Sequence, residues 1–181
     1  MTYRRDSDIF AGYGYVIRKS KFFSPKSRPY NNFDMNLEKK MRSNTKMVAW
    51  IVSDCDTPSL RELIVEELKN YVDIFGYCGT LECKRSTQIK CFKMLEKNYK
   101  FYLSFENSLC KDYVSEKFFQ IIKWNIIPVV YGSANYASLA PPHSYINARD
   151  FKNVEGKFPD QINGLDNNSF KFLQLVSKTS R

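Results

Sequence analysis

Four short apolar runs, separated by segments with helical patterning, constrain the fold of this chain more than any other feature. The runs are rich in β-branched and aromatic residues and are Met47–Val52, Val72–Phe75, Lys100–Glu106 and Ile126–Tyr131. Runs of this kind predict buried strands. The segments between them predict helices over 57–72, within 80–98 and over 112–124. Strands alternating with helices imply crossover connections, so we expect an α/β fold with a mainly parallel sheet.

The polar residues of greatest interest lie in Lys100–Phe119, where a strand, a polar loop and the start of a helix adjoin. Open α/β sheets bind ligands in the crevice at the carboxyl ends of their strands. Tyr113, Glu116 and Lys117 have i, i+3 and i+4 spacing, which places them on one face of a helix beginning near Asp112. A lysine in the first turn opposes the helix dipole unless an anion binds there. The spacing therefore predicts a diphosphate site.

A simpler interpretation exists for each of these residues. Glu116 and Lys117 are also what a solvated helix surface carries, and Glu106 and Asn107 are also typical of a turn after a strand. The pattern of residues leaves both interpretations open.

Arg61 falls in the helix after the first strand, near the same edge of the predicted sheet. Its planar guanidinium can form two hydrogen bonds to a phosphate, or it can form an ion pair with Glu62 or Glu66. Neither a G-x-G-x-x-G nor a Walker A motif occurs, which counts against NAD-type and P-loop sites. Cys110 has no neighbouring histidine to make it a nucleophile, and His143, beside two prolines, is interpreted as a loop residue.

The positive charge is concentrated at the amino terminus. The 181 residues carry a formal net charge of +9, but residues 1–50 hold 11 Lys and Arg against 4 Asp and Glu. The remaining 131 positions are thus close to neutral. A folded nucleic-acid-binding surface would be basic itself, so we expect no nucleic-acid partner.

Five cysteines, at positions 55, 78, 83, 91 and 110, leave at least one unpaired if the others form disulfides. With His143 as the single histidine, a zinc site would depend mostly on thiolates, and we assign no metal ligand. No signal peptide follows Met1, and no stretch reaches the roughly 18 apolar residues that span a bilayer. We therefore expect no membrane contact by this segment.

Several blocks resemble the α1,3-fucosyltransferases, and most closely the glycoprotein core type of invertebrates and plants. The blocks are FYLSFENS, KDYVSEKFF and IPVVYGSANYASLAPPHSYINARDF, which are similar to the carboxyl-terminal donor domain of that family. MTYRRDSDI resembles the segment that ends the family's acceptor domain, and KMVAWIVSDC with Arg61 resembles the opening of its donor domain. The resemblance covers approximately residues 1–151.

The resemblance implies a Golgi enzyme with two Rossmann-like domains, of the GT-B type, which transfers fucose from GDP-fucose with inversion. This chain would supply the donor-binding half. The acceptor would be a glycoprotein N-glycan, joined in α1,3 linkage. The full-length protein would be a single-pass type II membrane protein facing the Golgi lumen. No cofactor is required, although stimulation by a divalent metal is left open.

The resemblance also implies a role for each candidate residue. Lys117 and Arg61 would hold the diphosphate and stabilise departing GDP. Glu116 would contact hydroxyls of ribose or fucose, and Asn107 and Tyr113 would help to hold the nucleoside. Fixed cations suit this chemistry because negative charge grows on the leaving phosphate in the transition state.

The family's catalytic base is a carboxylate of the acceptor domain, so we assign no catalytic residue here and expect little or no activity from the isolated chain. We expect a fragment with three parts: 1–46, the end of the acceptor domain and a basic linker; 47–151, the Rossmann-like GDP-fucose-binding domain; and 152–181, a divergent, poorly ordered tail. A short helix is expected around Leu37–Arg42, and Phe170–Val176 is weakly helical. The alternative function is an inactive nucleotide-sugar-binding remnant or a regulatory fragment.

Overall fold

The computed structural model describes residues 2–17, 43, 46–142 and 144–153. Within these residues one sheet has all its neighbouring strands parallel, in the order β2-β1-β3-β4-β5. The strands are β1 (Lys46–Ile51), β2 (Val72–Phe75), β3 (Tyr99–Phe105), β4 (Ile127–Tyr131) and β5 (Ile146–Asn147). The predicted α/β, Rossmann-like fold with a parallel sheet is confirmed, with β5 as a short edge strand.

Helices cover both faces of the sheet. They are α1 (Arg61–Glu67), α2 (Gln88–Asn98) and α3 (Glu116–Ile121), with 3₁₀ turns at Arg85–Thr87, Tyr136–Ser138 and Ala148–Asn153. Ile64 and Val65 of α1 pack with Val48 and Trp50 on one face, whereas α2 and α3 pack on the other. Strand β3 is buried along its whole length. Burial on both faces explains why the sequence of β3 is mainly apolar rather than an alternation of apolar and polar residues.

The limits predicted for the first helix, 57–72, are wrong: α1 spans only Arg61–Glu67. Leu60 has a left-handed backbone conformation (φ 53°), which a right-handed helix cannot contain. The Thr57 hydroxyl instead donates to Glu62 Oε1 at 2.7 Å and ties the preceding loop to the helix. Leu60 and Leu63 are 56% and 63% exposed, although they are apolar and share the i, i+3 spacing of one helix face.

The helix predicted over 112–124 is also shorter, and α3 begins four residues later. Asp112 has a φ of 62°, so the chain turns there rather than entering a helix. Ser115 is the N-cap, and its hydroxyl accepts a hydrogen bond from the Lys117 backbone N–H at 3.4 Å. Tyr113 therefore lies in the loop before α3, not on a helical face shared with Glu116 and Lys117.

Four of the five cysteines form disulfides, Cys55–Cys78 and Cys83–Cys91. The unpaired thiol expected from the odd count is Cys110, which is exposed. Since Cys78 and Cys83 have different disulfide partners, their close spacing does not mark a metal site.

Residues 2–17, here called the amino-terminal arm, are mostly exposed and contact the loop before α3. Tyr3 and Tyr113 have ring centroids 4.9 Å apart, and Lys111 Nζ lies 3.4 Å from Asp6 Oδ2. Several segments lie outside the described residues. They are the helix expected at Leu37–Arg42, most of the linker before β1, His143 and the tail from 154 onward. In the part that is described, no helix has the length and apolar character needed to cross a membrane.

Candidate functional site

The strand order predicts a ligand crevice at the carboxyl ends of β1 and β3. These strands are neighbours, and the chain continues from them to opposite sides of the sheet, which defines a topological switch point. The loop after β1 is fastened to the end of β3 by Ser59, whose hydroxyl donates to Glu106 O at 2.7 Å and whose N–H donates to Asn107 O at 3.1 Å. The start of α1, which carries Arg61, and the end of β3, which Glu106 directly follows, therefore form one edge.

Glu106 is the most buried charged group at this edge, with 0% of its side chain exposed. Its carboxylate accepts hydrogen bonds from Ser115 N–H at 2.8 Å and from the Ser115 hydroxyl at 2.6 Å. One carboxylate thus receives both donors of the α3 N-cap. This pair of hydrogen bonds fixes the start of α3 against the end of β3.

The ammonium of Lys117 lies among several oxygens at the same point. Its Nζ is 3.0 Å from Ser115 Oγ, 3.2 Å from Glu116 Oε1 and 3.5 Å from Glu106 Oε2. The Lys117 side chain is 24% exposed, whereas the Glu106 carboxylate beneath it is enclosed. The Lys117 ammonium is therefore partly exposed to solvent, and it is paired with the buried carboxylate of Glu106.

The electrostatics of the two carboxylates differ because their burial differs. Burial raises the pKa of Glu106, although hydrogen bonds from Ser115 and the charge of Lys117 oppose that rise. Burial acts in the same direction on Glu116, but there the charge of Lys117 and hydrogen bonds prevail and hold the pKa below its ordinary value. At neutral pH, Glu116 is the more firmly ionised partner of Lys117.

Arg61 is buried, and its guanidinium donates to Phe105 O at 2.8 Å and to Asp54 O at 3.0 Å. Its Nε also donates to Glu62 Oε1 at 3.3 Å, one of the two pairings open from sequence. The guanidinium lies over the Trp50 ring, 5.5 Å from the centroid. Arg61 thus joins the carboxyl ends of β1 and β3 directly beneath the candidate crevice.

Asn107 directly follows Glu106 in the chain, and Tyr113 lies near enough to Glu106 to be affected by its charge. The Asn107 side-chain oxygen is buried and has no hydrogen-bond partner within the described part of the chain. Tyr113 is half-buried, and burial followed by the negative charge of Glu106 raises its pKa. The structure therefore brings Asn107, Tyr113, Glu116 and Lys117 together around Glu106.

Sequence reasoning missed four residues of this edge. Glu106 was left open between a ligand contact and a turn former and was given no site role, and Ser115, Tyr136 and Arg149 were given none either. Ser115 had a local signal, since serine before an acidic residue is typical of a helix N-cap. Arg149 donates to Gly132 O at 3.2 Å and to Ser133 Oγ at 2.9 Å, contacts across 16 or 17 positions that no local pattern indicates.

Gly132 gives a test of how closely this edge is packed. A Cβ on Gly132 would lie 2.5 Å from Tyr136 Oη and 3.4 Å from Glu106 Cγ. Gly132→Ala is therefore expected to lower the free energy of unfolding by about 1–3 kcal/mol, measured by urea denaturation. Gly12→Ala is the matched control, because its nearest neighbour is the exposed Phe10 ring, which can move away. Equal stability of the two variants would contradict this packing.

The raised pKa of Glu106 predicts a pH dependence of stability. The folded state binds this proton more tightly than the unfolded state, whose pKa is near the ordinary 4.5. As the pH rises above that value, wild type should lose stability relative to Glu106→Gln, by at most about 1.4 kcal/mol per pH unit, until the folded-state pKa is passed. Urea denaturation from pH 4 to 8 measures this difference. A difference that does not change with pH would contradict the prediction.

Metal binding receives no structural support among the residues described, since these contain no group of three or more His, Cys, Asp or Glu side chains placed to hold a metal ion. What the arrangement offers is a cation at the crevice, an unpaired amide oxygen and a tyrosine ring. These groups suit a ligand that carries both a negative charge and a polar ring or sugar.

Comparison with known proteins gives one matching family profile. The family described as glycosyltransferase family 10 (fucosyltransferase), C-terminal region, matches residues 41–177. The match continues past Phe151, so the similarity reaches further along the chain than the sequence analysis expected.

Curated relatives agree with this match. Alpha-(1,3)-fucosyltransferase C of Drosophila melanogaster is 44% identical over 166 residues, covering 86% of this chain and 39% of that protein. Glycoprotein 3-alpha-L-fucosyltransferase A of the same species is 42% identical, covering 83% and 29%. Alpha-(1,3)-fucosyltransferase fut-1 of Caenorhabditis elegans is 37% identical, covering 95% and 39%. The chain spans less than half the length of each of these relatives.

Proposed function

Because the chain belongs to glycosyltransferase family 10, the fucosyltransferases, we propose that it is the donor-binding half of an α1,3-fucosyltransferase that uses GDP-fucose. The observation that carries this proposal is the position of Lys117. Its ammonium lies near the carboxyl end of β3, partly exposed and 3.5 Å from the enclosed carboxylate of Glu106. A fixed cation there suits the diphosphate of a nucleotide sugar.

The remaining candidate residues are proposed for the same donor. Asn107, with its unpaired buried side-chain oxygen, and Tyr113, with its half-buried ring, would hold the nucleoside. Glu116 would accept hydrogen bonds from ribose or fucose hydroxyls, a role that its lowered pKa supports. Arg61 would add its positive charge at the diphosphate from beneath the crevice, in addition to the backbone contacts that it makes.

The chemistry that these residues support is stabilisation of the leaving group. When the bond between fucose and phosphate breaks, negative charge grows on the phosphate and positive charge grows on the sugar. Lys117 can stabilise that phosphate charge more in the transition state than in the ground state. A base is also required to accept the proton of the acceptor hydroxyl, and we propose that the acceptor domain of the longer protein supplies it.

We extend the proposal to the whole protein on the basis of the family resemblance. It would be a membrane-anchored Golgi enzyme that acts on a glycoprotein N-glycan from the lumenal side. The two disulfides support a secretory compartment, where cysteines remain oxidised. Stimulation by a divalent metal would, in this scheme, act through the donor diphosphate rather than through ligands of the protein.

Calorimetric titration of the folded chain with GDP tests donor binding. We expect saturable binding of GDP, and weaker binding of UDP because that nucleotide carries a different base on the same diphosphate. Absence of heat for GDP with a chain that is folded by circular dichroism would overturn the proposed function. Equal affinity for GDP and UDP would leave only a diphosphate site and would exclude guanosine recognition.

A transfer assay tests the assignment of the base. The isolated chain is expected to transfer no measurable fucose from GDP-fucose to an N-glycan acceptor, even though it binds GDP. The assay should measure release of GDP as well as formation of the glycan product. Multiple turnovers by the isolated chain would show that a base lies within these residues.

A further inference from the structure

Tyr136 is the second residue near this edge with an unpaired buried polar atom. It is only 2% exposed, and its hydroxyl has no hydrogen-bond partner among the described residues. A buried hydroxyl without a partner costs about 1–3 kcal/mol. Such a group calls for an explanation, because burying phenylalanine there would avoid the cost.

The position of the hydroxyl relates it to Glu106. The point where a Cβ on Gly132 would lie is 2.5 Å from Tyr136 Oη and 3.4 Å from Glu106 Cγ. Burial, followed by the negative charge of Glu106, raises the pKa of Tyr136, so the phenol keeps its proton and can donate it. The ring is fixed by edge contacts with Phe118, 5.6 Å away, and by Tyr145, 5.7 Å away.

The Glu106 carboxylate has acceptor capacity for this hydroxyl. Its Oε1 accepts from Ser115 N–H, and its Oε2 accepts from the Ser115 hydroxyl and faces Lys117 Nζ at 3.5 Å. Each carboxylate oxygen has about two acceptor positions. In the structure Lys117 compensates the charge of Glu106, and the Tyr136 hydroxyl makes no hydrogen bond among the described residues.

Binding of a diphosphate would change this balance. Lys117 is partly exposed and would turn toward the incoming negative charge, which would weaken its interaction with the enclosed Glu106. A buried carboxylate that loses its charge partner is strongly destabilising unless another donor replaces it. Tyr136 carries the one buried hydroxyl next to Glu106 that the described residues leave without a partner.

We propose that Tyr136 is a positioning residue of the donor site, whose hydroxyl donates to Glu106 when Lys117 turns from Glu106 to the diphosphate. This inference rests on the proposed function, since it needs a diphosphate ligand. Tyr136 itself does not touch the ligand, because its hydroxyl is enclosed by the protein. It acts through Glu106 on the free energy of the bound state.

Tyr136→Phe tests the proposal because it removes one oxygen and leaves the ring. In the ligand-free chain the unfolding midpoint should fall by no more than about 2 °C, or should rise, since no hydrogen bond is lost. The dissociation constant for GDP, measured by calorimetry, should increase about tenfold. Tyr145→Phe is the matched control, in the same aromatic cluster, and should change neither value.

A double variant distinguishes action through Glu106 from a direct effect. If Tyr136 acts through Glu106, then Tyr136→Phe should weaken GDP binding no further in a Glu106→Gln background. An additive loss in that background would overturn the proposal, as would an unchanged dissociation constant for Tyr136→Phe alone. A lowered midpoint with unchanged GDP affinity would show a purely structural role and would also overturn it.

The proposed function and this inference fail in different ways. If folded wild type does not bind GDP, both are wrong. If wild type binds GDP and Lys117→Ala binds it weakly, while Tyr136→Phe binds like wild type, the donor site stands and the role of Tyr136 is refuted.

Discussion

Replacing Lys117 with alanine is expected to weaken GDP binding by about tenfold to one hundredfold, the largest effect on affinity that we predict for a single substitution. The proposed charge-assisted contact to a phosphate would be lost, and the negative charges of Glu106 and Glu116, with which Lys117 now pairs, would be left facing the diphosphate. The second effect matters because Glu106 is enclosed and cannot be screened by solvent. Calorimetric titration of wild type and variant with GDP measures the loss.

Lys111→Ala is the matched control for this experiment. Lys111 lies in the loop that precedes α3 and has the same charge as Lys117, but its side chain is 69% exposed and faces Asp6 of the amino-terminal arm. The Lys111→Ala variant should have a dissociation constant for GDP within about twofold of wild type, because solvent screens the exposed charge that it removes. If both variants lost affinity equally, net charge rather than a specific contact would explain the binding.

Replacing Arg61 with alanine is expected to lower the free energy of unfolding by about 3 kcal/mol or more, the largest effect on stability that we predict. The buried carbonyl oxygen of Phe105 and the carbonyl oxygen of Asp54 would lose their donor, and the contact of the guanidinium with the Trp50 ring would be lost. Urea denaturation followed by circular dichroism measures the change.

Two further substitutions serve as controls for Arg61→Ala. Arg85→Ala removes an exposed arginine and should change stability by less than about 0.5 kcal/mol. Arg61→Lys keeps the charge but not the planar fork, so it should recover only part of the stability. If Arg61→Ala were as stable as Arg85→Ala, the contacts with the ends of β1 and β3 would not hold the fold together. Full stability with a large loss of GDP affinity would indicate a role at the diphosphate alone.

The limits of the helices show where local sequence was insufficient. The apolar spacing from Leu60 through Leu68 extended the first helix too far, because it could not show that Leu60 adopts a left-handed conformation and that Leu63 faces solvent. The same reasoning placed Tyr113 on a helix that begins only at Glu116. Helical periodicity records which residues are apolar, but turns at Leu60 and Asp112 depend on contacts made by the whole fold.

The sequence by itself determined the strands, the parallel α/β fold, the family and the stretch that carries the candidate site. Strands β1, β2, β3 and β4 are visible in the sequence because each is rich in β-branched and aromatic residues that pack into the core. Only the tertiary structure decided which polar groups are buried. Elements from different parts of the chain enclose Glu106, Arg61 and the Tyr136 hydroxyl. The energy of a charge or hydroxyl depends on the surroundings that those residues create.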